Sequence, residues 1–353
     1  MKTTNVKSLA LAQCAAYPGL HLQDVVKALY QAEFGCGHFV SPEGLRYLQQ
    51  EVTQLRESGC AAGGHVEPLG GDFCRVHLQT VLNGSLTPET LHRIFCLSAR
   101  SPSGEMSRFL QHLDELERLL GSELPIADDD AFLTRYRAAG CPPTHHSEAF
   151  RAQYHPAYRV VAAKYAAMLP LLGRIDCQLR EKDRVLLAIE GGSASGKSTL
   201  AATLQEIYPD STVFHMDDFF LQPHQRTQER FAQPGGNVDY ERFQAEVLAP
   251  LMQGQPVSYR PFDCSTMSLT TPVEVLPGRL CIIEGAYSMH PELRNAYDLS
   301  VCLTVDADTQ RSRIIARNGE RMWQRFKNEW IPLEHRYFAA CSIPDCCTMM
   351  LHI

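Results

Sequence analysis

The sequence contains no long apolar run, no C-x-x-C pair and no excess of basic residues, and each absence excludes a class of protein. No stretch approaches the ~20 apolar residues that a membrane-spanning helix requires. The net charge of −7 argues against a chain built to bind the phosphate backbone of nucleic acids. A hydrophobic fraction of 44% excludes a disordered or fibrous chain. We therefore expect a folded protein that binds neither membranes nor nucleic acids, and its 353 residues predict about two domains.

The cysteines and the amino terminus indicate the compartment. Thirteen cysteines are scattered along the chain, and their odd number and irregular spacing favour a reducing environment. Most of them are then expected to be small buried apolar residues, with a zinc site assembled from distant residues as the alternative. Residues 8–16 form a short apolar run that Gln13 interrupts, which is too weak for a secretory signal. We therefore expect a cytoplasmic protein.

The first half of the chain has apolar residues at helical spacing. This spacing predicts helices over residues 44–58, 88–98, 105–120 and 129–139, and a long helix over 147–172 that Pro156 kinks or restarts. The polar stretch 173–183 predicts a domain boundary. We therefore expect residues 1–175 to form a mainly α-helical domain, and its role is left open.

The second half alternates between short apolar runs and amphipathic segments. The runs predict strands over residues 185–189, 212–216, 280–283 and 299–305, and the segments predict helices over 197–207, 240–252 and 309–317. Strand–helix alternation is typical of a parallel sheet flanked by helices. Continuous apolar strands fit a sheet that is covered on both faces. We therefore expect residues 176–353 to form an α/β domain.

A phosphate-binding motif joins the first of these strands to the first helix. Residues 191–198 read GGSASGKS and match the P-loop pattern G-x-x-x-x-G-K-[ST]. Glycines let backbone N–H groups turn towards phosphates, and the following helix presents its positive end to them. Lys197 is expected to reach the β- and γ-phosphates, and the Ser198 hydroxyl to bind Mg²⁺. The predicted nucleotide contacts are Gly191, Gly192, Ser193, Ala194, Ser195, Gly196, Lys197, Ser198 and Thr199.

Other motifs narrow the kind of P-loop protein. The D-x-x-G and N-K-x-D elements of GTPases and the LSGGQ signature of transporter ATPases are missing, which favours a small-molecule kinase. Four further segments are HMDDFF at 215–220, NVDY at 237–240, IIEG at 282–285 and VDAD at 305–308. Together with the P-loop, residues from about 184 to 353 resemble the uridine kinase, nicotinamide riboside kinase and phosphoribulokinase group. The resemblance implies a P-loop NTPase-type fold, ATP and Mg²⁺, and phosphoryl transfer to a hydroxyl of a nucleoside-like small metabolite.

Two carboxylates follow predicted strands at the sheet edge where open α/β folds bind ligands. Asp217 ends the second apolar run, and a carboxylate there can accept the proton of an attacking hydroxyl. The resemblance assigns this role of catalytic base to Asp217, and implies that Glu284 binds Mg²⁺ beside Ser198. The alternatives are that Asp217 only terminates a strand and that Glu284 is an exposed residue at a strand end.

Asp239 starts an amphipathic helix and has two interpretations. As the N-cap it needs no ligand, whereas the resemblance implies that it holds the ribose hydroxyls of the acceptor. We therefore predict Asp217 and Asp239 as substrate contacts, with capping alone as the alternative for Asp239.

Arginines recur every four residues after the fourth predicted strand, at positions 313, 317, 321 and 325, and Gly319 interrupts the row. Such a row is often a solvated helical face. The resemblance implies instead a lid that closes arginines over the phosphates. We predict this role for Arg317 and Arg321, and a surface or packing role for Arg313 and Arg325.

The first half carries histidines without a recognised motif. His38 lies in the constrained segment GCGHF, and His145 and His146 are adjacent, but neither H-E-x-x-H nor paired C-x-x-C spacing occurs. We expect hydrogen-bonded structural roles for them, with a second substrate site or a metal site as the alternative. The domain itself could shape the acceptor pocket, form a homo-oligomer or act as a separate enzyme.

Two other functions remain open at this stage. One is a nucleotide-responsive regulatory protein whose helical half responds to ATP. The other is a P-loop kinase for a non-nucleoside acceptor, such as a vitamin or a sugar derivative.

Overall fold

The structure is a computed structural model that describes residues 4–36, 40–100, 104–126 and 131–352. His38 lies outside the described residues. The chain splits into two compact units, Met1–Asp176 and Cys177–Ile353, which we call unit 1 and unit 2. Among the described helices, none has both the length and the apolar character that crossing a membrane requires.

Unit 1 consists of helices and a small sheet. Its helices are α1 (Val6–Ala16), α2 (Leu22–Phe34), α3 (Gly44–Glu57), α4 (Gln79–Leu82), α5 (Pro88–Ala99), α6 (Met106–Leu119), α7 (Phe132–Ala138), α8 (Glu148–Tyr154), α9 (Ala163–Ala166) and α10 (Leu169–Glu181), the last of which continues into unit 2. Its strands are β1 (Val66–Pro68), β2 (Phe73–His77) and β3 (Tyr158–Ala162), which pair antiparallel in the order β1-β2-β3.

The helices predicted to begin near residues 44, 88 and 105 are confirmed. Helix α5 shows why the start of a helix can be predicted from the sequence. Thr87 is the N-cap, and its side chain accepts a hydrogen bond from the Thr90 backbone. Pro88 occupies the first turn, where its missing N–H costs nothing. Capping and an apolar face are local features, so the sequence alone could locate this helix.

The prediction of a long helix over 147–172 is wrong. Helix α8 ends at Tyr154, His155 adopts a left-handed conformation with φ 44°, and the chain then forms β3. Pro156 disfavours helical geometry in the residue before it and removes a backbone donor. The polar stretch 173–183, predicted to be a boundary, lies mostly in α10, and the division between the two units after Asp176 falls within it.

Unit 2 alternates strands and helices. Its strands are β4 (Val185–Gly191), β5 (Ser211–His215), β6 (Val257–Tyr259), β7 (Phe262–Asp263), β8 (Ser268–Leu269), β9 (Val273–Val275), β10 (Leu280–Glu284), β11 (Leu299–Thr304) and β12 (Met349–His352). Its α-helices are α11 (Lys197–Ile207), α12 (Gln228–Ala232), α13 (Tyr240–Phe243), α14 (Ala249–Met252), α15 (Ala307–Arg325), α16 (Ile331–Cys341) and α17 (Ile343–Cys346). A short 3₁₀ turn spans Met216–Phe219, and π-helical turns at Gln244–Leu248 and Phe326–Trp330 join α13 to α14 and α15 to α16.

The main sheet of unit 2 has five parallel strands in the order β12-β11-β4-β10-β5. All residues of β4 and β10 are buried, which explains their continuous apolar sequences. The four predicted strands are confirmed, and the short strand β12 was not predicted. The unit has a P-loop NTPase-type fold, with its glycine-rich loop at the carboxyl end of the central strand β4.

The cysteines are all free thiols, as expected without a disulfide framework. Five of them are buried and Cys264 is exposed, while the others are partly buried. Fewer cysteines are therefore fully buried than the sequence predicted.

Candidate active site

The P-loop conformation depends on its glycines. Gly191 has φ 149° and Gly196 has φ 98°, and residues with a side chain rarely adopt such angles. A Cβ atom on Gly191 would lie 2.7 Å from the carbonyl oxygen of Leu303 in β11. Any larger residue would therefore displace the loop from the sheet. Gly196 then acts as the N-cap of α11.

Lys197 is the first residue of α11, and its ammonium group lies against the loop. Its Nζ donates hydrogen bonds to the carbonyl oxygens of Gly191 at 2.8 Å and Gly192 at 2.9 Å. The side chain therefore places a positive charge at the positive end of the helix. This arrangement is suited to polyphosphate, because the positive end of a helix and a cation lie together.

Ser198 and Glu284 form a pair of oxygen ligands beside the P-loop. Strands β4 and β10 are neighbours, with Glu284 opposite Ile189, so the end of β10 lies beside the loop. The Ser198 hydroxyl donates to Oε1 of Glu284 at 3.1 Å. Mg²⁺ prefers hard oxygen ligands, so the two groups fit a magnesium site.

His215 contacts the same carboxylate from the next strand, where β5 pairs Glu284 with His215. The His215 Nδ1 atom lies 2.6 Å from Oε1 of Glu284. Burial raises the pKa of the Glu284 carboxyl, but His215, Lys197 and the Ser198 hydroxyl together hold it below its usual value. The hydrogen bond to Glu284 in turn raises the pKa of His215. The carboxylate is therefore kept ionised.

Asp217 lies in the 3₁₀ turn that follows β5. Its side chain is exposed to solvent, and its carboxylate accepts no hydrogen bond from the residues that the structure describes. The surrounding protein still desolvates the carboxyl and raises its pKa, while the charge of Lys197 acts in the opposite direction and that of Glu284 adds to the rise. The register that pairs His215 with Glu284 places Asp217, two residues after His215, at the same edge of the sheet as Glu284.

Asp239 is buried, with 2% of its surface exposed. Its Oδ1 accepts the backbone N–H of Arg242 at 3.2 Å, which makes it the N-cap of α13. Its Oδ2 accepts a hydrogen bond from Gln225 Nε2 at 2.9 Å and lies 3.5 Å from the Arg242 guanidinium. The capping role left open by the sequence accounts for the bond from the Arg242 backbone, and contact with an acceptor stays a prediction.

The predicted break at Gly319 is confirmed, because its φ of 79° and ψ of 164° divide α15. On either side of it, Arg317 and Arg321 are exposed, and the Arg317 guanidinium binds the side chain of its neighbour Asn318 at 2.7 Å. Arg313, predicted to be a surface or packing residue, donates to the Ala194 carbonyl at 3.2 Å. In this conformation Arg313 therefore contacts the P-loop.

Two more side chains hold the outer turn of the P-loop. Glu334, on α16, accepts the Ser193 backbone N–H at 2.9 Å and the Ser193 hydroxyl at 2.5 Å. Gln310, on α15, donates to the Ser193 carbonyl at 2.8 Å. Sequence reasoning missed both residues, since no motif links them to a loop more than 100 residues earlier.

A buried carboxylate lies directly before the P-loop. Glu190 is completely buried and accepts four hydrogen bonds, from the backbone N–H groups of Gly191, Tyr287 and Met289 and from the Tyr337 hydroxyl. Burial raises its pKa to about 7, although these bonds and Lys197 oppose the rise. Glu190 therefore links the end of β4 to the segment after β10, and its side chain has no access to a substrate.

In unit 1, His146 has the predicted hydrogen-bonded role, because both of its ring nitrogens have partners. His145, in contrast, is exposed.

Among the described residues, His65, Glu67 and His77 bring potential metal ligands within 4.8 Å of one another. Glu67 already accepts hydrogen bonds from Arg75 at 2.8 Å and Tyr17 at 3.0 Å. The cluster contains no cysteine and is therefore unlike the zinc site considered from the sequence.

Comparisons with known proteins support the resemblance. No family model matches the chain. The chain is 29% identical over 145 residues to the uridine kinase of Brevibacillus brevis, covering 38% of this chain and 67% of that protein. It is also 29% identical over 151 residues to the uridine kinase of Aliivibrio salmonicida, covering 38% of this chain and 68% of that protein. The predicted similarity to uridine kinases is thus confirmed.

Solved structures match a similar share of the chain. One, described as a possible uridine kinase from Bacillus stearothermophilus, has 22% identity and a TM-score of 0.38, and covers 52% of this chain and 99% of that one. Another, D-glycerate 3-kinase from Cryptococcus neoformans, has 16% identity and a TM-score of 0.37, and covers 50% of this chain and 87% of that one. With such low scores, the fold assignment depends on the strand order and the P-loop described above.

Proposed function

We propose that the chain transfers a phosphoryl group from ATP to a hydroxyl of a small, nucleoside-like metabolite, with Mg²⁺ as cofactor. The observation that carries this proposal is the meeting of Lys197, the Ser198–Glu284 pair and Asp217 at one edge of the parallel sheet. A protein that only senses nucleotide needs the P-loop. It does not need a carboxylate such as Asp217, which lies at this edge and has no hydrogen-bond partner among the described residues. The similarity to uridine kinases supports the same reaction class.

In this proposal the P-loop, with Thr199 at the next helical position, binds the phosphates through backbone N–H groups at the start of α11, while Gly191 and Ser193, whose N–H groups donate to Glu190 and Glu334, shape the loop around them. Lys197 exchanges its two carbonyl partners for the β- and γ-phosphates. Ser198 and Glu284 would hold Mg²⁺, which would supply positive charge against the phosphates when bound. Glu284 is already ionised, so this ligand needs no deprotonation.

Asp217 is the proposed base. Its carboxylate is not engaged by neighbouring donors, so it is available to accept the proton of the acceptor hydroxyl. The raised pKa brings it nearer to the working pH, which makes it a better proton acceptor than an ordinary aspartate. Asp239 is the second proposed substrate contact, and it would exchange its hydrogen bond from Gln225 for an acceptor hydroxyl.

The lid forms the last part of the proposal. The helix break at Gly319 provides a hinge, and both Arg317 and Arg321 are exposed beside it. Closure about this hinge would bring guanidinium groups towards the phosphates, where they offset negative charge.

The thirteen free thiols fit the cytoplasmic location predicted from the sequence.

An acceptor screen tests this function. Purified protein with ATP and Mg²⁺ is mixed separately with nucleosides, vitamins and sugar derivatives, and ADP release is measured. We expect stoichiometric ADP with one acceptor class, nucleosides, and phosphorylated product by mass spectrometry. Product from a vitamin or sugar alone would replace the nucleoside assignment. Tight ATP binding without acceptor-dependent ADP would contradict the kinase and favour a regulatory protein.

A further inference from the structure

Unit 1 contains a pocket that the proposed kinase chemistry does not use. Its volume is about 230 Å³, and five basic side chains line it: Lys27, His145, His146, Arg151 and Arg159. Glu51 is the acidic residue in the lining, and it pairs with Arg159 at 2.8 Å. The pocket is therefore rich in hydrogen-bond donors, and Lys27, Arg151 and Arg159 give it positive charge, which is complementary to a small oxyanion.

A hydrogen-bonded chain leads from the interior of unit 1 to this pocket. Asp24, with 1% of its surface exposed, accepts hydrogen bonds from the backbone and hydroxyl of Ser147 and lies 2.9 Å from His146 Nδ1. On the other side of the ring, His146 Nε2 lies 2.7 Å from the Tyr158 hydroxyl. Tyr158 lines the pocket, so the chain Asp24–His146–Tyr158 ends at its surface.

The direction of these bonds follows from the charge of Asp24. An ionised carboxylate only accepts hydrogen bonds, so His146 carries its proton on Nδ1. Nε2 is then an acceptor and takes the hydrogen bond of the Tyr158 hydroxyl. Burial raises the pKa of Asp24, but the hydrogen bonds from His146, His21 and Ser147 lower it by a larger amount. The pKa of Asp24 is therefore below its usual value, and the carboxylate stays ionised.

The surroundings of Tyr158 add to this polarity. Gln31 Nε2 donates to the hydroxyl at 3.3 Å, and the buried Arg75 guanidinium lies 4.8 Å from the centre of the ring. Both hold the ring in place while its oxygen faces a base. A histidine that serves packing alone needs neither an ionised partner nor a hydroxyl at the edge of a cationic pocket.

We propose that this pocket is a second ligand site, which binds a small oxyanion through Lys27 and Arg151 and presents to it the Tyr158 hydroxyl, which donates its hydrogen bond to His146 when no ligand is bound. The ligand class is the phosphate or carboxylate group of a small metabolite. The site is separate from the P-loop chemistry, so it stands whether or not the proposed kinase function is correct.

The first test measures anion binding by titration calorimetry on the full chain. The Lys197→Met variant is the background, so that binding at the P-loop lysine does not contribute. Inorganic phosphate and succinate are titrated separately, which distinguishes a phosphate from a carboxylate ligand. We expect saturable binding of at least one. Failure of both anions to bind would overturn the proposal.

Matched arginine variants then locate the site. Arg151 is exposed, so Arg151→Gln leaves the fold intact and weakens anion binding about threefold, as for a solvated charge. Lys27 is buried, and Lys27→Gln weakens binding about tenfold. The control Arg135→Gln changes an exposed arginine that does not line the pocket, and leaves binding unchanged. Equal effects of Arg151→Gln and Arg135→Gln would contradict the site.

The second test distinguishes a functional Tyr158–His146 pair from a structural one. The ring nitrogens of His146 are followed by ¹⁵N NMR of the same chain. Addition of the bound anion is expected to shift the Nε2 resonance, because the Tyr158 hydroxyl redirects its hydrogen bond to the ligand. In Tyr158→Phe this shift is lost, while anion binding weakens by about threefold at most. An Nε2 resonance that does not respond to the anion would show that the pair is structural.

Discussion

Individual carboxylates in this chain have different hydrogen-bond partners, which suit them to different functions. Asp217 has no hydrogen-bond donor among the described residues, Glu284 accepts bonds from Ser198 and His215, and Glu190 accepts four bonds in the interior. A carboxylate without partners can take a proton, one beside a P-loop serine can bind a metal, and one with four donors is structural. The residue type alone does not distinguish these roles.

The Asp217→Asn substitution tests the proposed base. It keeps the size of the side chain but removes its ability to accept a proton, so we expect kcat to fall by at least about 100-fold. Nucleotide affinity should change little, because the P-loop is untouched. Turnover is measured with the acceptor found in the screen. Asp183→Asn, at the opposite end of β4, is the control, and near-normal turnover of Asp217→Asn would refute the assignment.

The Glu67→Gln substitution tests a buried ion pair in unit 1. Arg75 is completely buried and binds Glu67 at 2.8 Å, so removing the negative charge leaves an uncompensated cation. We expect the free energy of unfolding at pH 7 to fall by ~3 kcal/mol, as measured by urea denaturation. The exposed Glu57→Gln control should change it by less than ~0.5 kcal/mol.

This difference should depend on pH. Burial raises the pKa of Glu67, but His77, Arg75, Gln13 and Tyr17 together lower it from 4.5 to about 2. A carboxyl whose pKa is lower in the folded state stabilises the fold above its unfolded pKa, and this contribution disappears as the pH falls. The difference between wild type and Glu67→Gln should therefore shrink between about pH 4.5 and pH 2. A constant difference over this range would contradict the ion-pair explanation.

At the scale of elements, helices α15 and α16 hold the P-loop from the outside. Gln310 and Arg313 bind its carbonyl groups, and Glu334 binds the backbone and hydroxyl of Ser193. The loop therefore depends on helices that lie far along the chain. The same helix α15 also carries the break at Gly319, so the proposed lid would share this support with the P-loop.

The Glu334→Ala substitution tests this support. It removes the carboxylate that accepts two hydrogen bonds from Ser193, one from its backbone N–H at 2.9 Å and one from its hydroxyl at 2.5 Å, and so loosens the outer turn of the loop. We expect the dissociation constant for ATP to rise about tenfold, measured by calorimetry. Glu329→Ala, which removes an exposed partner of Arg325, is the control and should have no effect. Unchanged ATP affinity in Glu334→Ala would show that the loop is rigid without it.

At the scale of the whole molecule, the P-loop lies in unit 2, so nucleotide binding should stabilise that unit. A ligand at 100 times its dissociation constant stabilises the folded state by about 2.7 kcal/mol. We expect hydrogen exchange of the core strands β4 and β10 to slow correspondingly with ATP and Mg²⁺. Lys197→Met, which lacks the phosphate-binding ammonium, should lose most of this protection. Equal protection in both proteins would contradict the assigned role of Lys197.

The sequence by itself determined the features that depend on neighbouring residues. The P-loop glycines, the Thr87 cap and the apolar runs of β4 and β10 are local patterns, because turns, caps and buried strands each need particular residue types in order. Asp217 and Glu284 could be predicted as well, since the carboxyl ends of parallel strands meet at one edge.

Only the tertiary structure decided which distant side chains meet. His215 contacts Glu284 through the register of β5 and β10, and Glu334 reaches Ser193 from a helix 141 residues later. In unit 1, β3 pairs with β2 where the periodicity predicted a helix, and this brings Tyr158 to His146. Such contacts depend on packing and strand register, which are properties of the whole fold and leave no periodic signal in the sequence.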